Sequence, residues 1–356
     1  MNASELTSPH APTGSAANGG SSVPWVGSGD YRYRPEVHWA KVPAGYGWSE
    51  VASVACDSKG RVYVFNRGPH PMMVFERDGT FVRSWGEGIV VRAHGLAIGP
   101  DDTLYCTEDH GHVVRTFTTD GRLLMTLGDT QKPSATGATS MDFRGIRQSS
   151  GPFHYPTNLA LGPQGDMFVT DGYGNARIHR FSPDGRLLRS WGEPGAGPGQ
   201  FAIPHGIAID PEGLLYVADR ENSRIQVFTP EGQYVRELTG IARPCEVAFD
   251  ARGNLLVAEL GYKVAMWPGI PSPGPDAPGG RVSVLTRDGE VLARWGGGTH
   301  PTRAGDFFAP HDIYVDSHGD LYVSEVIVSA AGSSAREPSP YHSLQKFHRV
   351  TESTPS

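Results

Sequence analysis

A chain of 356 residues, 38% of them hydrophobic, is long enough to bury a large core, while 46 glycines and 29 prolines exclude a fold built on long helices. A formal net charge of −7, with Lys and Arg scattered along the chain, leaves no basic face for nucleic acid, and no run of about 18 apolar residues is present to cross a membrane. Cys56, Cys106 and Cys245 are an odd and sparse set for a secreted disulfide framework, so reduced thiols and a cytoplasmic location are expected.

Residues 1–30 are rich in Ser, Gly, Ala and Pro and lack both the basic start and the apolar block of a signal peptide, which predicts a disordered tail. Residues 31–42 (YRYRPEVHWAKV) read as an extended segment. A phrase then recurs: VACDSKGRVYVFNRG from Val54, LAIGPDDTLYCTEDHG from Leu96, LALGPQGDMFVTDGYG from Leu159, IAIDPEGLLYVADREN from Ile207, VAFDARGNLLVAELG from Val247 and IYVDSHGDLYVSEV from Ile313. Each copy holds an apolar strand, a DPEG-like turn and a second apolar strand; in the fullest copies a polar loop, a third strand, a PDG-like turn and a fourth strand follow. Four strands in roughly 40 residues is the period of a β-propeller blade.

The fold class read from this is all-β, a six-bladed β-propeller over residues 31–350, with a frayed terminus at 351–356. Segment 31–42 is expected to return to blade six as its outer strand, which would close the ring and hide its edge. Insertions rich in Pro and Gly at about 129–153 and 266–280 predict loops. Asn66, Glu108, Asp171, Asp219, Glu259 and Glu325 end the second strands at one fixed phase and are expected to accept hydrogen bonds from loop backbone. Trp85, Trp191 and Trp295 close last strands and are expected to pack between blades.

Aligned on the first strands, the position two before Leu96 reads Ala52, His94, Thr157, His205, Cys245 and His311. Histidine occupies blades two, four and six, although only 14 histidines occur in the chain. Alternate blades of a six-fold ring lie about 120° apart and first strands line the channel, so three imidazoles converge on one axis. Three nitrogen ligands with a fourth position open is the pattern of catalytic zinc, while imidazole also suits copper, iron and nickel. Any one histidine taken alone reads better as a strand cap or a partner for channel water, and only the set of three favours a metal. Cys245 reads as a small buried residue, and the loop residues His110, His112, His154 and His300 read as surface.

The loops after the second strands rim the same face as the histidines. Arg67 and Arg220 stand there on opposite blades, placed to grip a carboxylate, and Tyr173, between glycines in DGYGN, is placed to act as a base beside a cation. The competing structural reading pairs both arginines with local acids and packs Tyr173 on a blade.

DGYGNARIHRFSPDG, WGEPGAGPGQFAIPHGIAID and VADRENSRIQVF, with FNRGPH, AHGLAIG and APHDIYV in the same order, resemble the single-domain form of peptidyl-α-hydroxyglycine α-amidating lyase, a family of NHL-repeat propellers. The resemblance runs from about residue 45 to 348. It implies zinc held by His94, His205 and His311, a tyrosine base at Tyr173, and active-site arginines at Arg67 and Arg220. It also implies a structural calcium held through backbone near Val54, Leu96 and Asp312. Ala309 stands where the family carries a methionine, and Gly174 where it carries a disulfide cysteine. The activity implied is cleavage of the C–N bond of an N-acyl-α-hydroxyglycine-type carbinolamide to an amide and glyoxylate, by a monomer acting on a small or short peptidyl substrate with a carboxylate. Two readings stand against it. A non-catalytic propeller that binds a protein or ligand on its rim predicts no transition metal, and a propeller hydrolase or lactonase with a channel calcium predicts Asp, Glu and Asn oxygens in place of imidazoles.

Overall fold

The computed structural model describes residues 24–331 and 342–350. Six antiparallel sheets follow one another round the ring, five with their strands in chain order and the sixth completed by strands from the N-terminal part of the chain. Their first strands are Val51–Cys56, Ala93–Ile98, Asn158–Leu161, Pro204–Ile209, Pro244–Phe249 and Pro310–Val315. Each touches the first strand of the next blade, and that of blade six touches that of blade one, so the ring is closed.

The recurring D-x-x-G turn has a local cause. In blades one, four, five and six the carboxylates of Asp57, Asp210, Asp250 and Asp316 accept from backbone N–H groups two and four residues ahead. The glycine between, such as Gly213 at φ 87°, takes the left-handed conformation the turn demands. Second strands such as Leu215–Asp219 are buried at every residue because both faces meet neighbouring blades, whereas fourth strands such as Leu123–Leu127 lie largely in solvent. This is why second strands read as continuous apolar runs.

The polar ends of the second strands do the work expected of them. Glu108 accepts from Val91 N–H, Asp171 from His154, Asp219 from Ala202, Glu259 from Ala242 and Glu325 from Phe308 and Ala309, each tying down the strand lead-in of its own blade. Asn66 accepts from Gly68 N–H. Trp85 packs on Phe117 of the next blade, Trp191 on Phe228, and Trp295 on Phe347 and Tyr33.

Ring closure uses more chain than expected. Blade six runs Pro310–Val315, Leu321–Glu325, Leu344–Arg349, then Tyr31–Glu36 as predicted, and a fifth strand, Val26–Ser28. The tail expected over 1–30 is therefore corrected for its last residues: Val26–Ser28 pair antiparallel with Tyr31–Tyr33. Composition cannot reveal a three-residue strand templated by an existing sheet edge. Residues 1–23 and 351–356 lie outside the described residues. Both insertions are loops apart from one turn of 3-10 helix at Phe143–Gly145. Among the described residues no helix is long and apolar enough to cross a membrane, and all three cysteines are free.

Candidate metal centre

The pairing of first and second strands slips at one place in five of the six blades, between Val51 and Ser53, Ala93 and Gly95, Pro204 and Ile207, Pro244 and Glu246, and Pro310 and Asp312. Each slip falls on the column that holds the three histidines. A bulge turns the extra residue out of the ladder, and here it turns the side chain toward the channel. Gly95 and Gly206 follow two of the histidines because a Cβ would lie 2.5 Å from Asn158 Oδ1 and from Cys245 O in the next blades.

His94, His205 and His311 meet on the axis. Their rings lie 4.7–4.8 Å apart between centroids, and one ligand atom from each falls within 4.8 Å of the others. All three are buried, at 2%, 1% and 4% exposure. The Nδ1 of His94 lies 2.7 Å from Thr157 O, that of His205 2.8 Å from Cys245 O, and that of His311 2.8 Å from Ala52 O. A carbonyl only accepts, so each Nδ1 carries the proton and each Nε2 offers a lone pair to the axis, the orientation a metal ligand needs. The column thus alternates: blades two, four and six give imidazoles, and blades three, five and one give the carbonyls that orient them.

Burial, reinforced by neighbouring imidazoles and arginines, holds His94 and His205 well below the ordinary histidine pKa and brings His311 down to about 3. All three are therefore neutral at pH 7. The Nε2 of His311 is buried with no hydrogen-bond partner. A buried orphan acceptor beside two further neutral imidazoles fits a metal ion, and the three residues could form such a site.

Tyr173 stands over the set. Its hydroxyl is 3.3 Å from His94 Nε2 and 3.2 Å from His205 Nε2, and accepts from Arg220 Nη1 at 3.0 Å; the guanidinium carbon of Arg220 lies 5.1 Å from the ring centre. Burial opposes the charge of Arg220, but Tyr173 and Glu221 outweigh it and raise its pKa. Gly174 leaves room for the packing behind this turn, since a Cβ would lie 2.5 Å from the ring of His154.

Arg67 also reaches the site, but its groups are largely spent: Nε donates to Ala93 O at 2.9 Å, and Nη1 to Glu50 at 2.7 Å and Ser329 at 2.8 Å. Both arginines therefore pair with local acids, Glu50 and Glu221, and still face the cleft. Sequence reasoning missed Arg92, which pairs with Asp109 and donates to Ser329 at 3.0 Å. It also missed Arg243, which is 1% exposed and joins Glu221 through Nη2 at 2.9 Å. Glu50, Arg92 and Arg243 occupy one further column, two residues upstream of the histidine column, and that alignment would have found them.

A cleft of about 450 Å³ opens above the imidazoles, lined by Arg67, Arg92, Tyr173, Arg220, Ser329 and His311 together with Met141, Leu260, Met266 and Trp267. Ala309 does not line it; it packs beneath, with Cys245, Leu260 and Val326. His112 and His154, expected at the surface, are buried. His154 Nδ1 lies 2.8 Å from Thr136 Oγ1, which anchors the 129–153 insertion, and His112 Nδ1 accepts from Tyr155 N–H at 3.0 Å, which fixes the segment that follows it. His110 and His300 are exposed.

At the other mouth of the channel Val54, Leu96 and Asp312 line a second cavity with Glu246 and Asn158. The Asp312 carboxylate accepts from Ser53 Oγ and Val54 N–H, and Glu246 accepts from Asn158. Burial raises both carboxyl groups, Asp312 to about 6.

The NHL repeat model matches residues 201–228, the body of blade four. The chain is 30% identical over 334 residues to peptidylglycine alpha-amidating monooxygenase of Rattus norvegicus, covering 84% of this chain and 31% of that one. It is 32% identical over 267 residues to peptidyl-alpha-hydroxyglycine alpha-amidating lyase 1 of Drosophila melanogaster, covering 68% of this chain and 44% of that one. It is 30% identical over 312 residues to human NHL repeat-containing protein 3, covering 83% and 81%. The chain thus spans about a third of the length of the amidating monooxygenases and most of the length of the last relative. Among solved structures, a streptogramin B lyase superposes with a TM-score of 0.57 at 13% identity, covering 89% of this chain and 98% of that one, a likeness of fold alone.

Proposed function

The chain belongs to the family of NHL-repeat propellers that takes in peptidyl-α-hydroxyglycine α-amidating lyase and NHL repeat-containing protein 3, and on that premise we propose that it is a zinc-dependent carbon–nitrogen lyase. Its substrate is an N-acyl-α-hydroxyglycine, R-CO-NH-CH(OH)-COO⁻, and its products are the amide R-CO-NH₂ and glyoxylate. The observation that carries the proposal is the phenolic oxygen of Tyr173 set within 3.3 Å of two neutral, buried Nε2 atoms and 3.0 Å from a guanidinium.

His94, His205 and His311 are the proposed zinc ligands, and zinc bound there supplies Lewis-acid stabilisation to a substrate oxygen. Tyr173 takes the proton of the substrate hydroxyl. The carbonyl of glyoxylate then forms as the C–N bond breaks, and the departing nitrogen takes up the proton that Tyr173 had removed and leaves as the amide. Arg220 steadies the phenolate that proton transfer requires, through its Nη1 bond and its position over the ring. Arg220, with Arg67 and Arg92 on the cleft wall, draws the carboxylate inward, and burial of the whole set strengthens each of these interactions. A structural calcium near Val54, Leu96 and Asp312 belongs to the same proposal, supported by the buried carboxylate there, since hard cations take oxygen ligands.

The test is elemental analysis of protein purified without chelators, combined with a glyoxylate assay on α-hydroxyhippurate. Zinc near one per chain with glyoxylate release is expected; zinc without glyoxylate would remove the lyase assignment. One relative's name specifies only the repeats, and a non-catalytic binding propeller predicts neither metal nor glyoxylate.

A further inference from the structure

The cleft has two chemistries. Its polar wall is arginine-rich, and its apolar wall, built by Met141, Leu260, Met266 and Trp267, comes mainly from the two insertions. These insertions leave the ring at different places, one between blades two and three and the other inside blade five, yet they meet. Phe143 packs edge-on against Trp267 with centroids 5.9 Å apart, and Arg144 Nη1 donates to Pro268 O at 2.8 Å.

The apolar wall is anchored from below. Arg243 donates to the carbonyls of Gly261 and Val264 at 3.0 Å and of Ala265 at 2.8 Å. The same guanidinium pairs with Glu221, which holds Arg220, which holds Tyr173. A continuous set of polar contacts therefore fixes the apolar wall relative to the phenolic oxygen. Methionines on such a wall adapt to varied apolar shapes, and an indole gives a broad face at little entropic cost.

We propose that the cleft selects substrates carrying a bulky apolar group, aromatic or aliphatic, on the acyl side of the scissile bond, seated on Met141, Met266 and Trp267 while the carboxylate lies toward the arginines. This rests on the lyase reading for the orientation of substrate, but its test does not depend on turnover. Hippurate and N-acetylglycine, which lack the hydroxyl and cannot be cleaved, differ only in benzoyl against acetyl. Titration calorimetry with zinc-supplemented full-length protein is expected to show hippurate binding at least about tenfold more tightly, the discrimination that a few apolar carbons give in a closed pocket. Trp267→Ala is expected to cut that ratio below about threefold, in line with the loss of most of that contact. Met141→Ala, at a partly exposed position, lowers it in a variant that keeps its fold. Equal affinity for the two ligands, or a ratio untouched by both substitutions, would overturn the proposal. A preserved ratio in wild type, lost in the variants, with no glyoxylate from any hydroxyglycine would uphold apolar selection and remove the lyase reading; glyoxylate from benzoyl and acetyl substrates with equal kcat/KM and equal binding would do the reverse.

Discussion

Replacing Tyr173 with phenylalanine removes one oxygen and leaves the ring in place. That oxygen has three polar neighbours, at 3.0, 3.2 and 3.3 Å, and they separate its roles. As a base its loss costs about 10²–10⁴-fold in kcat, the range for a positioned general base, which is about 3–5 kcal/mol of barrier. As an acceptor for Arg220 its loss leaves a buried charged donor short of one bond, worth about 1.5–3 kcal/mol of stability. Metal content is expected to stay at the wild-type level, because the imidazoles are oriented by Thr157, Cys245 and Ala52 and not by Tyr173. The assay is glyoxylate release at saturating α-hydroxyhippurate, with zinc content and denaturant midpoint measured on the same preparation. A variant with wild-type kcat would refute the base assignment; one that loses its zinc would refute the claim that the ligand set is held independently.

Three further outcomes follow from the geometry. His205→Ala is expected to drop bound zinc below about a tenth of wild type while retaining its circular dichroism spectrum, since structural support for the ring comes from strand pairing and a three-ligand site loses most of its affinity with one ligand; full zinc occupancy would contradict the site. Glu221→Gln leaves Arg243 buried without its carboxylate and is expected to cost about 3–5 kcal/mol in urea denaturation, with kcat reduced as Arg220 loses its anchor; an unchanged midpoint would show that the pair is inert. For pH, the unfolded chain binds more protons than the native state at any histidine whose folded pKa is depressed, so stability from a neutral His311 is present above about pH 6.5 and drains away as pH falls toward about 3. In metal-free protein the stability difference between wild type and His311→Gln should therefore shrink by about 1.4 kcal/mol for each unit below 6.5; parallel curves between pH 4 and 7 would refute the assignment.

The ring was legible because repetition makes its own evidence. A turn recurs in all six blades, with its D-x-x-G carboxylate doing the same hydrogen bonding in four of them, and six polar strand ends recur at one phase, each accepting from nearby backbone. The histidine column was legible for the same reason, and Tyr173 because glycines flank it. Non-repeating chemistry was not. Met141 and Trp267 sit in insertions without a period, and their meeting across the face depends on tertiary contacts between Phe143, Arg144 and blade five. Glu50, Arg92 and Arg243 stand two positions upstream of the histidine column, lost among charges scattered along the chain. His112 and His154 read as loop residues, and only their bonds to Tyr155 and Thr136 show that this loop is buried against the turn behind Tyr173.

The alternation of imidazole and carbonyl around the axis has a mechanical side. Each ligand leans on the main chain of the blade that follows it, so whatever grips the three Nε2 atoms presses on all six blades, three directly and three through their carbonyls. The blades are also joined by side-chain packing and by hydrogen bonds between neighbours, such as Thr170 Oγ1 to His205 O and Leu96 N–H to Ser53 Oγ, while the strands at residues 26–36 complete blade six. An ion on the axis would thus act as a hub with six spokes. Any slip of one blade past its neighbour would be felt at the centre as a misdirected lone pair, which couples the precision of the chemistry to the tightness of the ring.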